Sequence, residues 1–267
     1  MLSGGTMSNG RPEMPVEAVT LFMHTGYLCV HDAIPRSLLV ELKAQVDALF
    51  AAPSEPYRVN GEGEICRIEG LLARHPVFAD ALRSDRLLAV LTQLLGPDIE
   101  VALHRHNHAT LNRRGDVPFR LHRDVQQWSR PLLDVFIYLE DADVENGCTH
   151  IVPGSHLLPY AGSQSGGGAG NWADEHKEYR HLIGQELPVP MKEGDVLLVH
   201  ASTFHSVGVN RTSRSRRSLV FACHSSDDLN SRSLVDRELL VGRRTFRGNP
   251  ALQVSGSLAS VTPRSER

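Results

Sequence analysis

The residues best equipped for chemistry in this sequence are histidines. There are 14 in 267 residues, and imidazole is the commonest metal ligand among side chains. His122-Arg123-Asp124 is an H-x-D triplet. One such triplet carries little weight, and His176-Lys177-Glu178 forms a similar one in a polar stretch without strand character. Context separates the two. His122 stands just before an apolar strand pattern at residues 132–139, and His205 follows a second apolar strand pattern at 196–199. Two imidazoles and one carboxylate leave three metal positions open. This is the facial triad of non-haem Fe(II) oxygenases, and the open positions would serve a co-substrate and O2. His122, Asp124 and His205 are therefore the expected iron ligands. His200 ends the strand that leads to His205 and is the competing distal candidate.

A third element follows the distal histidine. Arg216-Arg217-Ser218 is an R-x-S triplet on the next expected strand. A guanidinium offers a two-pronged fork to a carboxylate, and a serine hydroxyl adds one more hydrogen bond. Side chains alternate along a strand, so Arg216 and Ser218 share a face and Arg217 points the other way. Only one of the adjacent arginines can serve the end of a dicarboxylate.

These residues need rigid elements to hold them. Residues 1–15 are rich in Gly, Ser and Pro and are expected to be disordered. A short helix is expected at 16–25, a strand at 26–30 and an amphipathic helix from Pro35 to Phe50. A further helix is expected over 76–95, stopped by Gly96-Pro97. From about residue 98 the pattern changes to short strands at 100–104, 132–139, 149–152, 195–200 and 218–224. In the second of these, Leu133, Val135, Ile137 and Leu139 share one face, and Asp134, Phe136 and Tyr138 the other. The expected fold is mainly β with N-terminal helices around a double-sheet jelly roll. The expected domain covers 16–224, followed by an extension at 225–267 of unknown role with one possible helix at 234–241. The glycine-rich segment 161–170 is either a surface loop or a lid beside the site.

Composition bounds the rest. A formal net charge of −3 and a pI of about 6.5 ask for neither nucleic acid nor a membrane surface. No apolar run approaches the roughly 18 residues needed to span a bilayer. The four cysteines, Cys29, Cys66, Cys148 and Cys223, form no C-x-x-C pair. They are expected to be free thiols in a reducing cytoplasm.

Together these motifs resemble the phytanoyl-CoA dioxygenase family, which includes ectoine hydroxylases and natural-product oxygenases. The resemblance runs over roughly residues 18–224. It rests on Phe22 with Gly26-Tyr27-Leu28-Cys29-Val30 and Ile34-Pro35, then Leu87-Leu88 with Leu94-Leu95-Gly96-Pro97. It continues through His122-Arg123-Asp124 with Trp128, Asn146-Gly147 followed by Pro153-Gly154-Ser155-His156, and Gly194-Asp195-Val196 leading to His205 and Arg216. The resemblance implies a jelly-roll enzyme that uses Fe(II), 2-oxoglutarate and O2, releases succinate and CO2, and oxidises a C–H bond of a small molecule. It places His108 and Asn112 near 2-oxoglutarate. Cys148-Thr149-His150 departs from the family's usual residues after Asn-Gly, and His106 with His108 crowds the strand before the triad.

An iron halogenase would need a small residue at Asp124, so that chloride could reach the metal. A cupin-like metal-binding protein without O2 chemistry would lack the Arg216–Ser218 clamp. Desaturation, epimerisation or ring closure in place of hydroxylation stays open. Gln127, Trp128, Trp172 and Phe204 are the expected substrate contacts. Gln126, Gln127 and Asp134 favour a polar substrate, and no basic patch is reserved for the phosphates of a CoA ester.

Overall fold

Alternation in the strand around Val135 decides the architecture, because both of its faces are buried. A computed structural model describes residues 15–103, 106–116, 119–124, 132–159, 172–226 and 237–244, with the backbone of 7–8 and 11–12. Its N-terminal half runs β1 (Met7–Ser8), β2 (Arg11–Pro12), α1 (Val16–Thr25), β3 (Tyr27–Val30), α2 (Arg36–Ala51), β4 (Tyr57–Val59), β5 (Ile65–Glu69), α3 (Leu71–Arg74), α4 (Val77–Leu82) and α5 (Asp85–Leu95). The C-terminal half is β6 (Ile99–Ala102), β7 (Asn107–Asn112), β8 (Leu132–Tyr138), β9 (Thr149–Ile151), β10 (Leu187–Val189), β11 (Val196–His200), β12 (His205–Val207), β13 (Arg216–Ser225) and β14 (Arg237–Val241), with single 3-10 turns between β9 and β10.

Two antiparallel sheets form the core. The large one has the order β3-β11-β8-β13-β7-β5-β4, and β6 joins it between β13 and β14. The small one is β10-β9-β12. Leu133, Val135, Ile137 and Leu139 pack on the helix side with Leu39, Leu42, Val46, Leu87 and Leu91. Phe136 and Tyr138 pack on the other side, with Ile151, Val189, Leu197, Val199 and Val220. The expected strand parity therefore separates a helix-backed core from the space between the sheets. Each fully buried aliphatic or aromatic side chain in these layers contributes roughly 1.5–3 kcal/mol.

Three expectations are corrected. The helix expected over 76–95 is two helices, because Arg83 and Ser84 leave the helical path and the Ser84 hydroxyl donates to the Ala33 carbonyl. The segment expected as a helix at 234–241 contains strand β14, which pairs with β6. Its residues serve the sheet: Leu240 joins the main core and the Arg237 guanidinium reaches the buried Glu100 carboxylate at 3.1 Å. The sheet also does not begin near residue 98. It takes β3, β4 and β5 from the N-terminal part and β14 from beyond residue 224. The fold class stands as expected: a mostly antiparallel double-sheet jelly roll with N-terminal helices. Among the described residues no helix is long and apolar enough to cross a membrane.

Candidate metal and co-substrate site

His122 and His205 meet through their backbones. The N–H of His122 donates to the carbonyl of His205 at 2.9 Å, and the reciprocal bond is 2.8 Å. This single bridge sets the rings side by side, with centroids 4.5 Å apart. The Asp124 N–H donates to Ala201 at 2.8 Å, which fixes the carboxylate against the same pair. Nε2 of His205 lies 3.2 Å from Asp124 Oδ2, and Nε2 of His122 lies 3.7 Å from Asp124 Oδ1. The three ligand atoms all fall within 4.8 Å of one another.

The outer nitrogens settle the tautomers. Nδ1 of His122 donates to the Arg120 carbonyl at 2.8 Å, and Nδ1 of His205 to that of Thr203 at 3.0 Å. Each ring therefore turns an Nε2 lone pair toward Asp124, as metal-ligating imidazoles do. Burial and the neighbouring His205 push His122 down to about 4, so its ring is neutral at physiological pH. Burial acts most strongly on His205 and lowers it, but the charge of Asp124, its hydrogen bond and the Thr203 carbonyl together outweigh burial and raise it. Two imidazoles and a carboxylate with open positions fit an iron(II) ion.

His200 is elsewhere. Its Nδ1 accepts the Ser202 N–H at 3.2 Å, and its ring lies 5.3 Å from that of His156. In β11 it follows Val199, which faces the space between the sheets, so alternation turns His200 away from the site.

The clamp lies further down β13. Arg216, Ser218 and Val220 share the face of β13 that looks between the sheets, and their partners in β7 are Asn112, Thr110 and His108. Arg216 is 4% exposed, its Nε has no hydrogen-bond partner, and among the described residues no carboxylate forms an ion pair with it. Burial lowers its affinity for its proton. A buried guanidinium without a counter-charge is costly, so this arrangement suits an anion supplied from outside. Arg217 points the opposite way and is tied to Glu140 and Asp47, with Nε to Glu140 Oε1 at 2.6 Å. Ser218 and Thr110 share a hydroxyl hydrogen bond of 2.8 Å. The His108 ring is buried, with Nδ1 unpartnered, and burial followed by the charge of Arg67 holds it neutral.

Other residues of this face were missed by the sequence reading. Tyr138 lies across from Ser218 in β8, and its hydroxyl hydrogen-bonds Thr149 at 2.8 Å. Its ring lies 5.9 Å from the Arg216 guanidinium. The alternation that grouped Asp134, Phe136 and Tyr138 was the available signal. Thr110 had no local signal, since only sheet pairing brings it to Ser218.

Two turns flank β9. Gly147 has φ +82°, and a Cβ there would stand 2.3 Å from the Gly208 carbonyl, so the Asn146-Gly147 turn admits only glycine comfortably. Asn146 locks the turn by accepting the Asp143 N–H at 2.7 Å and donating to Asp141 at 2.7 Å. In the Pro153-Gly154-Ser155-His156 turn, the Ser155 hydroxyl accepts the Phe204 N–H at 2.8 Å, one residue before His205.

Of the expected substrate contacts, Trp172 sits with its ring 4.8 Å from that of His122 and under the Arg120 guanidinium. Phe204 is buried in a separate small core with Leu121, Val152, Ala173, Tyr179 and Leu182. Gln127, Trp128 and the segment 161–170 lie outside the described residues.

Residues 22–218 match the family model for phytanoyl-CoA dioxygenase. Among curated proteins, the dioxygenase lolE1 of Epichloe uncinata is 28% identical over 168 residues, which are 63% of this chain and 62% of that protein. The chain thus spans less than two thirds of that relative's length. Among solved structures, the epimerase SnoN in complex with Fe3+, alpha ketoglutarate and nogalamycin RO superposes with a TM-score of 0.68 at 23% identity, covering 86% of this chain and 96% of that one. The alpha ketoglutarate-dependent carbocyclase SnoK from nogalamycin biosynthesis gives 0.66 at 20% identity, covering 84% and 88%. At these identities the two structures speak for the fold.

Proposed function

The chain belongs to the phytanoyl-CoA dioxygenase family, whose members are non-haem iron, 2-oxoglutarate-dependent dioxygenases, and on that premise we propose that it oxidises a C–H bond of a small polar metabolite, in its simplest outcome by hydroxylation. The balance is one 2-oxoglutarate, one O2 and one C–H bond giving succinate, CO2 and an alcohol. Bound iron supplies the O2 activation and the C–H oxidation, and the protein supplies position.

The observation that carries this reading is the pairing of two half-sites in one inter-sheet space. His122, Asp124 and His205 form the metal end. Arg216, buried and lacking a carboxylate partner, forms the other. In this reading Arg216 and Ser218 bind the distal carboxylate of 2-oxoglutarate, with Thr110 orienting the Ser218 hydroxyl. His108 and Asn112 line the same face of β7 and flank the co-substrate. Trp172, against His122, together with Gln127 and Trp128, is proposed to border the substrate. A role in natural-product biosynthesis is supported by the fold shared with enzymes of nogalamycin biosynthesis. Because those two are an epimerase and a carbocyclase, epimerisation, ring closure and desaturation remain the second reading. Placement of the substrate C–H bonds would choose among them.

The test measures iron content and 2-oxoglutarate-dependent succinate formation for the parent and for His122→Ala, Asp124→Ala and His205→Ala. The parent should bind one iron per chain and form succinate, and each variant should lose both. His200→Ala should keep its iron. Metal binding without any succinate formation would instead identify a cupin-like metal protein that does not use O2.

A further inference from the structure

The co-substrate reading leaves one part of the inter-sheet face unused. β5 pairs with the outer edge of β7 in a register that sets Arg67 opposite Thr110 and Glu69 opposite His108. Directly paired residues share a face, so Arg67 and Glu69 look into the same space as Thr110, Ser218 and His108. The register cannot slip by one, because Ile68 between them is fully buried on the helix side. Neither side chain is an ordinary surface group. Arg67 is 17% exposed and Glu69 21%.

The charges do not cancel. Glu69 Oε1 serves two guanidinium groups, Arg58 Nε at 2.8 Å and Arg67 Nε at 3.0 Å. Nη2 of Arg67 donates to Glu69 Oε2 at 3.5 Å, while its buried Nε lies off the hydrogen-bonding line to Oε1 and has no hydrogen-bond partner. Two cations around one carboxylate leave one net positive charge on this wall. The wall is also electrostatically in touch with the metal end, since Arg67 is among the groups that hold His108 neutral and Asp124 among those that support Arg67. Two other charges of the site are matched in the proposed reading. Asp124 faces the metal, and Arg216 faces the distal carboxylate of 2-oxoglutarate. Among the described residues, the β5 wall keeps a buried donor and a positive charge that this reading does not use.

We infer that Arg67, held in place by Glu69, is a specificity-determining residue that anchors a carboxylate of the substrate on the β5 side of the inter-sheet space, so that the enzyme takes carboxylate-bearing small molecules. This rests on the function proposed above. Planar guanidinium groups recognise carboxylates through paired N–H bonds, and Glu69 limits the rotamers from which Arg67 can do so. Arg58, more exposed than Arg67, contributes charge at the outer end.

The probe is a panel of small polar metabolites in matched pairs, free acid and methyl ester, offered to the Fe(II)- and 2-oxoglutarate-loaded protein. Binding is read from the shift of the iron-to-2-oxoglutarate absorption band, and turnover from succinate and product mass. At least one free acid should bind at least tenfold more tightly than its ester. Arg67→Gln should abolish that preference, raising KM tenfold or more with kcat less affected, and Arg67→Lys should restore part of it. Iron content should stay at the parent level in both variants, and any change in 2-oxoglutarate affinity should be much smaller than the loss of the acid preference. A panel in which no acid outperforms its ester, including one in which nothing binds, overturns the inference. So does an Arg67→Gln variant that loses 2-oxoglutarate affinity, which would place Arg67 in the co-substrate site. A parent that binds neither iron nor 2-oxoglutarate would instead overturn the proposed function.

Discussion

His106 is a non-glycine residue in left-handed backbone, at φ +46°, a conformation that costs energy and persists where the surroundings demand it. What it gains is contact with two carboxylates. Its Nε2 lies 3.0 Å from Asp124 Oδ1 and 3.8 Å from Asp134 Oδ1. Asp134 is fully buried on the face of β8 that carries Phe136 and Tyr138. In the proposed reading His106 would orient the Asp124 carboxylate through the contact of its Nε2 with Oδ1. Loss of such an outer partner typically weakens metal binding by about 10–100-fold. His106→Ala should therefore raise the iron dissociation constant by about that factor in anaerobic titration. His106→Asn should fall between Ala and the parent, since asparagine tolerates left-handed backbone and keeps a donor. An alanine variant with parental affinity would remove His106 from the site. At this scale the sequence was readable where chemistry is local. The H-x-D triplet, the later histidine and the arginine–serine alternation all lie within a few residues of an apolar strand pattern. His106 was conspicuous without its partner being visible, because Asp134 reaches it only across the fold. Arg67 and Thr110 gave no signal, since their meaning comes from a register that no local pattern prints.

Among the elements, β8 was the clearest from sequence and has the most consequence. Its odd residues back the helices and its even residues face the site, so one strand joins stability to chemistry. Ile137 is fully buried between Val196 of β11 and Leu219 of β13. Ile137→Ala should cost about 2–5 kcal/mol, read as a lower urea midpoint with an unchanged slope. Val40→Ala, at an exposed position of α2, should stay within about 0.5 kcal/mol. Equal midpoints for the two would contradict the assignment of the core. The misread elements share a physical cause. Residues 76–95 are apolar at helical spacing almost throughout, and the break at Ser84 arises from a tertiary bond to Ala33. The segment at 237–241 has ordinary helix formers, and it becomes a strand because β6 offers a free edge and Glu100 offers a charge partner. Tertiary context overrides propensity in both.

For the whole molecule, two sheets enclose a space with His122, Asp124 and His205 at one end and Arg216 at the other, and the helices back only the larger sheet. The jelly roll was legible from the number and spacing of short strands. β3 was expected as a strand, but its place in this sheet was not, and β4, β5 and β14 were not legible at all, because short strands with mixed exposure carry little periodic signal. The central claim is that this space holds Fe(II) at His122, Asp124 and His205 and 2-oxoglutarate between that metal and Arg216. Anaerobic titration of 2-oxoglutarate into the Fe(II) protein, following the metal-to-ligand charge-transfer band, tests both ends together. The parent should develop the band and saturate. Arg216→Ala leaves a carboxylate unpaired in a buried place, at a cost of about 2–5 kcal/mol, so its affinity should fall by roughly 30-fold to several thousand-fold at 1.4 kcal/mol per tenfold. Arg217→Ala, which loses only Glu140 and Asp47 on the opposite face, should titrate like the parent. A parent without the band, or equal weakening by the two arginine variants, would contradict the account.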